Sequence, residues 1–303
     1  MKSSKNSILL KVLSTLVIVL ALLLDSCTKS NDTALSSSDT QNVNSESASD
    51  SYSNDATDMA NVSVGSISSS TYTGRMEGSI DTLKNIDDRF KCATFTIVRT
   101  GNKDKPAGVI TIDFGTAGCT DPRGVVRKGQ IIVTYSGKRF VPGSTIVTTF
   151  VNYSRNDIKV EGTHTMTNVQ TAITDAPKYT VVIAGGKITF TDGKFISREQ
   201  TFTYLWQRAA NPTQDNLSIL KGGVASGTNK NGKSYTMTIS ADLVYSRACA
   251  ISNKVFIPVS GTKVFTADSK QYTVDYGTGA CDNDITVTVG GASKTITVSG
   301  DGN

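Results

Sequence analysis

Short segments in which apolar and polar residues alternate are the feature that most constrains the fold of this chain of 303 residues. They begin after Lys91, are rich in Thr and Val, and are separated by turns of Gly, Asn and Asp. A period of two is typical of half-buried antiparallel strands, whose side chains alternate between two faces. The segments are Thr94–Val98, Val109–Asp113, Gln130–Tyr135, Lys178–Ile183, Lys187–Phe190, Thr201–Trp206, Tyr235–Ile239, Lys254–Val259 and Gln271–Tyr276. We therefore predict an all-β domain over residues 92–303, an antiparallel meander of many strands in a large sheet or a sandwich-like arrangement.

Two residue pairs between these segments predict where the chain reverses. Asn231-Gly232 and Gly185-Gly186 both lie between apolar runs. Such pairs favour the positive backbone angles that two-residue hairpin turns require. We expect a tight hairpin at each.

The two ends of the β region resemble each other. Residues 110–119 read ITIDFGTAGC and residues 272–281 read YTVDYGTGAC, and each stretch follows a Cys-Ala pair, at Cys92 and Cys249. This predicts two related units, residues 92–137 and 249–298. With Cys27 set aside, four cysteines allow three pairings, of which Cys92–Cys119 and Cys249–Cys281 are the natural ones in an oxidising compartment. Metal or redox chemistry is disfavoured because the cysteines lack Cys-x-x-Cys spacing.

The segment before the β region divides into two parts. Residues 27–75 are dominated by Ser, Asn, Asp and Thr and hold almost no large apolar residue. Such a composition buries too little surface to offset its ordering entropy, which predicts a disordered tether. Residues 76–91 place apolar residues three or four positions apart, from Met76 to Phe90, which predicts one short helix.

The first 26 residues have the features of a targeting segment. Lysines precede and enter an apolar run that ends at Leu24, and Ser26 stands before Cys27. A basic start, an apolar core and a small residue at the cut are typical of a secretory signal peptide. The end of the run resembles the lipobox of bacterial lipoproteins, which implies that Cys27 is acylated and begins the mature chain. An uncleaved membrane-spanning helix is the alternative.

The residue after the cysteine bears on the final location. It is Thr28 and not an aspartate. By resemblance to the sorting rule of enteric bacteria, this favours the outer membrane. The periplasmic face and the cell surface both remain open.

Charge is divided unevenly along the chain. The whole chain carries 31 basic and 26 acidic residues. The first 75 residues hold five of the basic and seven of the acidic ones, which leaves a net charge of about +7 for the remainder. Anionic glycans or lipopolysaccharide are possible partners of such a surface, although scattered charges are more typical of solvated sheet faces. Nucleic acid is not an expected partner outside the cytoplasm.

Several motifs together resemble a known group of proteins. Ile112-Asp113-Phe114-Gly115, Cys119, the strand RKGQIIVTY at residues 127–135, and the repeated Asp275–Cys281 stretch are similar to segments of uncharacterised Bacteroidota lipoproteins. The resemblance covers most of the chain from Cys92 onward. It implies a cell-envelope location and no particular reaction.

The candidates for chemistry are few. His164, the sole histidine, lies in an alternating segment and is expected to be a solvated or hydrogen-bonded strand residue. The sequence from Ser260 to Lys263 matches Ser-x-x-Lys but is interpreted as a turn. Asp275, Asp282 and Asp284 could supply oxygen ligands to calcium, although Asp is also a common turn residue.

Aromatic residues give the remaining hint of function. Phe202, Tyr204 and Trp206 alternate by two and therefore share one sheet face. They form either part of the core or, if exposed, a site for a glycan or protein partner. We predict a non-catalytic binding or structural envelope protein that contacts glycan, lipid or another envelope protein. The alternative is a carbohydrate-active enzyme with two facing carboxylates, and a lipid carrier would need a concave apolar face.

Overall fold

An antiparallel sheet of fifteen strands forms most of the chain that the structure describes. The computed structural model describes residues 35–67, 84, 87–211, 214–253 and 255–298. The strands are β1 (Thr94–Arg99), β2 (Ala107–Asp113), β3 (Cys119–Thr120), β4 (Val126–Ser136), β5 (Thr145–Arg155), β6 (Ile158–Asn168), β7 (Lys178–Thr189), β8 (Phe195–Gln207), β9 (Asn216–Ile219), β10 (Val224–Thr228), β11 (Ser234–Ser246), β12 (Ser260–Ala267), β13 (Lys270–Thr278), β14 (Asp284–Val289) and β15 (Ala292–Thr297). The predicted all-β antiparallel fold is confirmed.

The order of the strands in space nearly follows their order along the chain. The sheet runs β1-β2-β4-β5-β6-β7-β8-β10-β11-β12-β13-β14-β15, with β3 paired to β4 and β9 paired to both β8 and β11. Neighbouring strands that follow one another in sequence need only short connections. This is the predicted meander, and in the described residues its strands form one sheet.

A helix of 31 residues, α1 (Ser37–Ile67), lies where we predicted a disordered tether. The prediction is wrong for these residues, whereas residues 27–34 and 68–75 of that segment lie outside the described ones.

The start of α1 is capped reciprocally. The Asp39 amide donates to Ser36 Oγ at 3.2 Å, and the Ser36 amide donates to Asp39 Oδ2 at 3.1 Å. This is the hydrogen-bond pattern of a capping box, with Asp in place of the usual Glu.

Burial explains why this polar segment is helical. Apolar residues recur along it, most of them three to five positions apart, and are buried: Val43, Ala48, Tyr52, Ala56, Met59, Ala60 and Val64. Ser, Asn and Asp are weak helix formers, so contacts with the sheet must stabilise α1. Its polar side chains bond to residues of β4, β5, β8, β12 and β13. Because these strands are spread along the sheet, the sheet curves around the helix.

The turn predictions are half right. Asn231 and Gly232 lie in the hairpin between β10 and β11, where the Asn229 amide donates to the Lys233 carbonyl at 2.8 Å. The hairpin predicted at Gly185-Gly186 is wrong, because both glycines lie inside β7. The pairing of β7 with β8 shifts between Ile183 and Gly186, as in a bulge. A Cβ atom on Gly186 would stand 2.6 Å from the Arg198 carbonyl oxygen, so glycine permits the close approach.

The strand predicted at Lys254–Val259 is also wrong. Lys254 is outside the described residues, and those that follow it connect a short helix, α2 (Arg247–Asn253), to β12. Val255 and Val259 are buried against Cys249 and form a small separate core. Their apolar character therefore reflects packing around a cysteine and not a strand.

Both predicted disulfides are present. Cys92 is bonded to Cys119 and Cys249 to Cys281, with Cα atoms 5.6 Å and 5.2 Å apart. The first bond lies in the unit at residues 92–137 and the second in the unit at residues 249–298.

The two units share one local hydrogen bond, at or near the end of their matching strands β2 and β13. The Gly115 amide donates to Asp113 at 2.7 Å, and the Gly277 amide donates to Asp275 at 2.8 Å. Both glycines have positive φ, of 72° and 79°. The sequence resemblance of the two ends is therefore also a resemblance of local structure.

Two predicted segments fall mainly outside the described residues. The signal segment 1–26 and Cys27 lie there, as does most of the short helix predicted at residues 76–91. Of that helix, residues 84 and 87–91 are described, and Asp88–Phe90 forms a 3-10 turn. Among the helices of the described chain, none has the length and apolar character that crossing a membrane requires.

Candidate ligand-binding cavity

A cavity of about 650 Å³ separates one side of helix α1 from the inner face of the sheet. The helix lines it with polar residues: Ser47, Asp50, Ser51, Asn54, Asp55, Thr57, Asp58 and Asn61. Most of these are three or four positions apart and so lie on one side of the helix. The apolar residues of α1 lie mainly on the other side, in the core.

The sheet and the loops give the cavity a largely apolar wall. Residues of nine strands contribute, together with the 3-10 turn near Arg89, the loops before β4 and β12, and Val298 after β15. The apolar and aromatic ones are Val125, Met166, Val181, Tyr204, Trp206, Leu217, Tyr245, Phe256, Ile257, Pro258, Tyr276, Ile285 and Val298. The cavity is therefore polar on its helix side and mainly apolar on its sheet side, with Arg127 and Arg155 as charged exceptions.

The cavity reaches solvent beside its most exposed lining residues. Three of its lining residues are about half exposed: the side chains of Asp58 and Arg123 are 57% and 48% exposed, and Phe256 is 49% exposed. The Arg123 guanidinium lies 6.0 Å from the centre of the Phe256 ring. We call these three residues the mouth.

Four buried charged residues join the helix to two strands, and we call them the inner ion cluster: Glu46, Asp50, Arg198 and Lys263. Arg198 of β8 donates to Asp50 at 2.7 Å and to Glu46 at 3.4 Å. Lys263 of β12 donates to the same two acids. Two acids and two bases balance one another, so the buried charge is compensated within the cluster.

Asp50 of this cluster is held in its ionised form. Burial alone would raise the pKa of Asp50, but the charges of Lys263 and Arg198 outweigh it and hold that pKa below its usual range. Burial would likewise lower the pKa of Lys263, but Asp50 keeps it above its usual range. The cluster is therefore an ion pair network at neutral pH and not a proton donor.

A second group of charges lies closer to the mouth, and we call it the arginine cluster: Arg89, Arg127 and Arg155 with Asp55, Asp58, Asp87 and Asp121. Asp55 of α1 receives hydrogen bonds from Arg89 at 3.0 Å and from Arg127 at 3.3 Å. Burial opposes ionisation of Asp55, yet the charges of Arg127, Arg89 and Arg155 hold its pKa well below its usual range.

Arg155 differs from the other two arginines. Arg127 donates to Asp121 at 2.8 Å, and Arg89 donates to Asp58 at 2.5 Å. The described residues give Arg155 no carboxylate partner within ion-pair distance. It donates to Ser51 Oγ at 3.3 Å and lies 5.1 Å from the centre of the Tyr52 ring.

The three predicted aromatic residues do share the inner face of β8. Phe202 and Tyr204 are buried, and Tyr204 and Trp206 line the cavity. The Tyr204 hydroxyl donates to Asn54 at 3.0 Å, and the Trp206 indole donates to Asp215 at 2.9 Å. Their role as ligand contacts stays a prediction, now placed inside a cavity and not on an exposed face.

The three aspartates proposed for calcium bond locally. Asp275 accepts from the Gly277 amide at 2.8 Å, Asp282 from the Asp284 amide at 3.1 Å, and Asp284 from the Thr297 hydroxyl at 2.5 Å. In the part of the chain described here, no three acidic, histidine or cysteine side chains are grouped so that they could hold a metal ion. The calcium site stays a prediction.

His164 is a hydrogen-bonded strand residue, as expected. It lies in β6, buried, with Nδ1 3.3 Å from the hydroxyl of Thr57 and its ring edge-on to Phe150. Burial, with a smaller effect from the charge of Arg198, lowers its pKa to about 4.

The interpretation of Ser260–Lys263 as a turn is wrong. These residues begin β12, with a shift in register between Ser260 and Thr262. A Cβ atom on Gly261 would stand 2.0 Å from the Asp242 carbonyl oxygen, so the glycine permits a close approach to β11. Lys263 points inward and joins the inner ion cluster.

The charged residues of the cavity escaped the sequence reasoning, although a signal was present. In β8 the inward face reads Ile196, Arg198, Gln200, Phe202 and Tyr204, so a basic residue stands in register with apolar ones. A charge on the apolar face of a strand requires a buried partner. The segment at residues 27–75, which holds Glu46 and Asp50, contains the acids that could supply this partner.

Comparison of the chain with models of protein families, with curated proteins and with solved structures finds no significant match to any of them. The functional argument therefore depends on the geometry of the cavity.

Proposed function

We propose that this protein is a non-catalytic, lipid-anchored protein of the cell envelope that binds a small amphipathic molecule between helix α1 and the sheet. The cavity of about 650 Å³ is the observation on which the proposal depends. Its volume is within the range of about 300–1,000 Å³ that is typical of small-molecule sites. Its apolar wall suits a hydrocarbon chain and its polar wall suits a head group.

The charge state of the acids favours binding over catalysis. A glycosidase needs one carboxyl group with a raised pKa, which protonates the leaving group, beside a second carboxylate. The pKa values of Asp50 and Asp55 are instead lowered by neighbouring bases. A carboxylate-based carbohydrate-active enzyme remains the alternative, and hydrolysis of a glycoside lost on replacement of a cavity acid would support it.

The anchor at Cys27 fits a ligand that comes from a membrane. Ser37, the first residue of α1, is only ten positions after Cys27. Ten residues span at most about 35 Å when fully extended. A lipid on Cys27 would therefore keep the domain beside the outer membrane, the location that Thr28 favours.

Fluorescent displacement on the mature chain tests the proposal. The protein would begin at residue 27 with Cys27→Ser, be oxidised, and be titrated with 1-anilinonaphthalene-8-sulfonate and then with dodecyl amphiphiles of different head groups. We expect saturable binding at one site. Ser47→Trp fills the cavity from the helix side and should weaken binding at least about tenfold, a loss of about 1.4 kcal/mol.

Ser38→Trp is the matched control, because Ser38 is exposed on the same helix and does not line the cavity. It should leave the affinity unchanged. Failure of the unmodified protein to bind any of these amphiphiles, or equal binding by the two Trp variants, would contradict the proposal.

A further inference from the structure

Arg155 distinguishes one end of the cavity. It is the last residue of β5, is 7% exposed and lines the cavity. It stands opposite Arg127 in the register of β4 and β5, so two guanidinium groups are neighbours on one face. Like charges that face each other across two strands are unfavourable unless anions lie between them.

The aspartates of the arginine cluster form their ion pairs mainly with Arg89 and Arg127. Arg127 bonds to Asp121 and Asp55, and Arg89 bonds to Asp55, Asp58 and Asp87. Arg123, at the mouth, is 3.6 Å from Asp121. Arg155 acts on Asp55 through space, since its charge helps to lower the pKa of that acid, but the two form no ion pair.

The guanidinium of Arg155 retains unused hydrogen-bonding capacity. It has five N–H donors. Toward the described residues it makes one hydrogen bond, from Nη1 to Ser51 Oγ, and its Nε has no hydrogen-bond partner there. A buried charge is costly unless it is paired, and a carboxylate or phosphate accepts two parallel bonds from a guanidinium.

We infer that the bound molecule is an anionic amphiphile, whose carboxylate or phosphate binds Arg155 while its hydrocarbon chain lies against the apolar wall of the cavity. This inference rests on the proposed function and specifies its ligand class. The other lining arginines have acids of their own, so Arg155 is the residue that should discriminate an acidic head group from a neutral one.

The test compares ligands with one chain length and different head groups. Dodecanoate, dodecyl phosphate and methyl dodecanoate would each be titrated at pH 7.5 into the mature oxidised chain, by displacement of the same fluorophore. The unmodified protein should bind at least one of the two anions about tenfold or more tightly than the neutral ester. Which anion binds more tightly distinguishes a fatty-acid-like from a phospholipid-like source.

Two substitutions of Arg155 assign that preference to its guanidinium, and a third variant is the control. Arg155→Gln should reduce the preference to less than about threefold and leave the affinity for methyl dodecanoate unchanged. Arg155→Lys should retain part of it. Arg208→Gln removes an exposed guanidinium outside the cavity lining and should retain all of it.

The outcomes separate the two proposals. Equal binding of anions and ester by the unmodified protein overturns the inference about charge and leaves the cavity proposal standing, and this comparison does not depend on whether a variant folds. A full preference in Arg155→Gln also overturns the inference. If no amphiphile binds at all, both proposals fail.

Discussion

The inner ion cluster and the arginine cluster join the same helix to the same sheet, but they differ in how completely their charges are paired. In the inner ion cluster, Glu46 and Asp50 meet Arg198 and Lys263, and the bases are 1–2% exposed. In the arginine cluster, Asp58 is half exposed and Arg155 has no ion pair with a described residue. The difference indicates that the first cluster fixes the helix, whereas the second leaves a charge available to a ligand.

Removal of α1 should have the largest effect. A chain that begins at Thr73 lacks the helix and leaves Arg198 and Lys263 without acids in a cavity open to water. We expect it to show no cooperative unfolding transition in urea by circular dichroism, whereas a chain that begins at Leu35 should unfold cooperatively. A cooperative transition at the same urea concentration in both chains would contradict an integral role for α1.

Lys263→Met should be the most damaging single substitution in the inner ion cluster. It leaves two acids with one base in a buried site, which typically costs about 3–5 kcal/mol. Lys270→Met is the control, because Lys270 pairs with Asp39 of the same helix but its side chain is 48% exposed, and such a pair contributes about 1 kcal/mol or less. Urea unfolding at pH 7.5 measures both, and similar losses would remove the distinction between buried and exposed pairs.

Acid should lower the free energy of unfolding through His164, which lies beside Thr57 of α1. Its pKa is about 4 when folded, below the 6.5 of an unfolded histidine, so the unfolded chain binds the proton first. Stability from this group is complete above pH 6.5 and is lost as the pH falls toward 4, by up to about 3 kcal/mol. The free energy of unfolding at pH 7.5 and 4.5 tests this.

His164→Gln is the matched variant for that measurement. It should show a smaller loss over the same range, since folding lowers the pKa of Asp50 and Asp55 and the stability they contribute is lost only as their carboxyls protonate in the unfolded chain, near pH 4. An equal pH dependence in both proteins would assign the effect to other groups.

Arg155→Gln should have the smallest effect on stability. It removes one hydrogen bond and no ion pair with a described residue, so we expect a loss of about 1 kcal/mol or less. Arg127→Gln removes contacts with Asp121 and Asp55 and should cost about 3–5 kcal/mol. Equal losses in urea unfolding would mean that Arg155 is as tightly paired as Arg127, which contradicts the role we assign to it.

The sequence predicted the sheet better than the helix for a physical reason. Alternation is a local signal, so segments such as Tyr235–Ile239 and Gln271–Tyr276 were placed in the strands that they form. Cysteine spacing likewise predicted both disulfides. A Ser- and Asn-rich helix carries little local signal, because its stability comes from partners far along the chain. The spacing of four between Ala48, Tyr52 and Ala56 was a weak local sign of the helix.

The cavity could not be predicted from local sequence patterns. Its polar wall comes from residues near position 50 and its apolar wall from residues between 125 and 298. The alternation of β8 placed Phe202, Tyr204 and Trp206 on one face, but Tyr204 and Trp206 line a cavity only because helix α1 lies opposite them. The alternation of the strands shows Arg127, Arg155 and Lys263 as charges on inward faces. It does not show which residues pair with them.

Hydrogen exchange of the backbone amides of α1 tests the central claim most directly. The mature, oxidised protein would be placed in D₂O and followed by mass spectrometry of peptides from residues 37–67, with peptides from β6 and β7 as internal reference. The account predicts that peptides from the middle of α1 exchange as slowly as those from the sheet, because the helix is enclosed by it. Complete exchange of residues 37–67 within seconds, as in an unstructured tether, would contradict the account and with it the cavity.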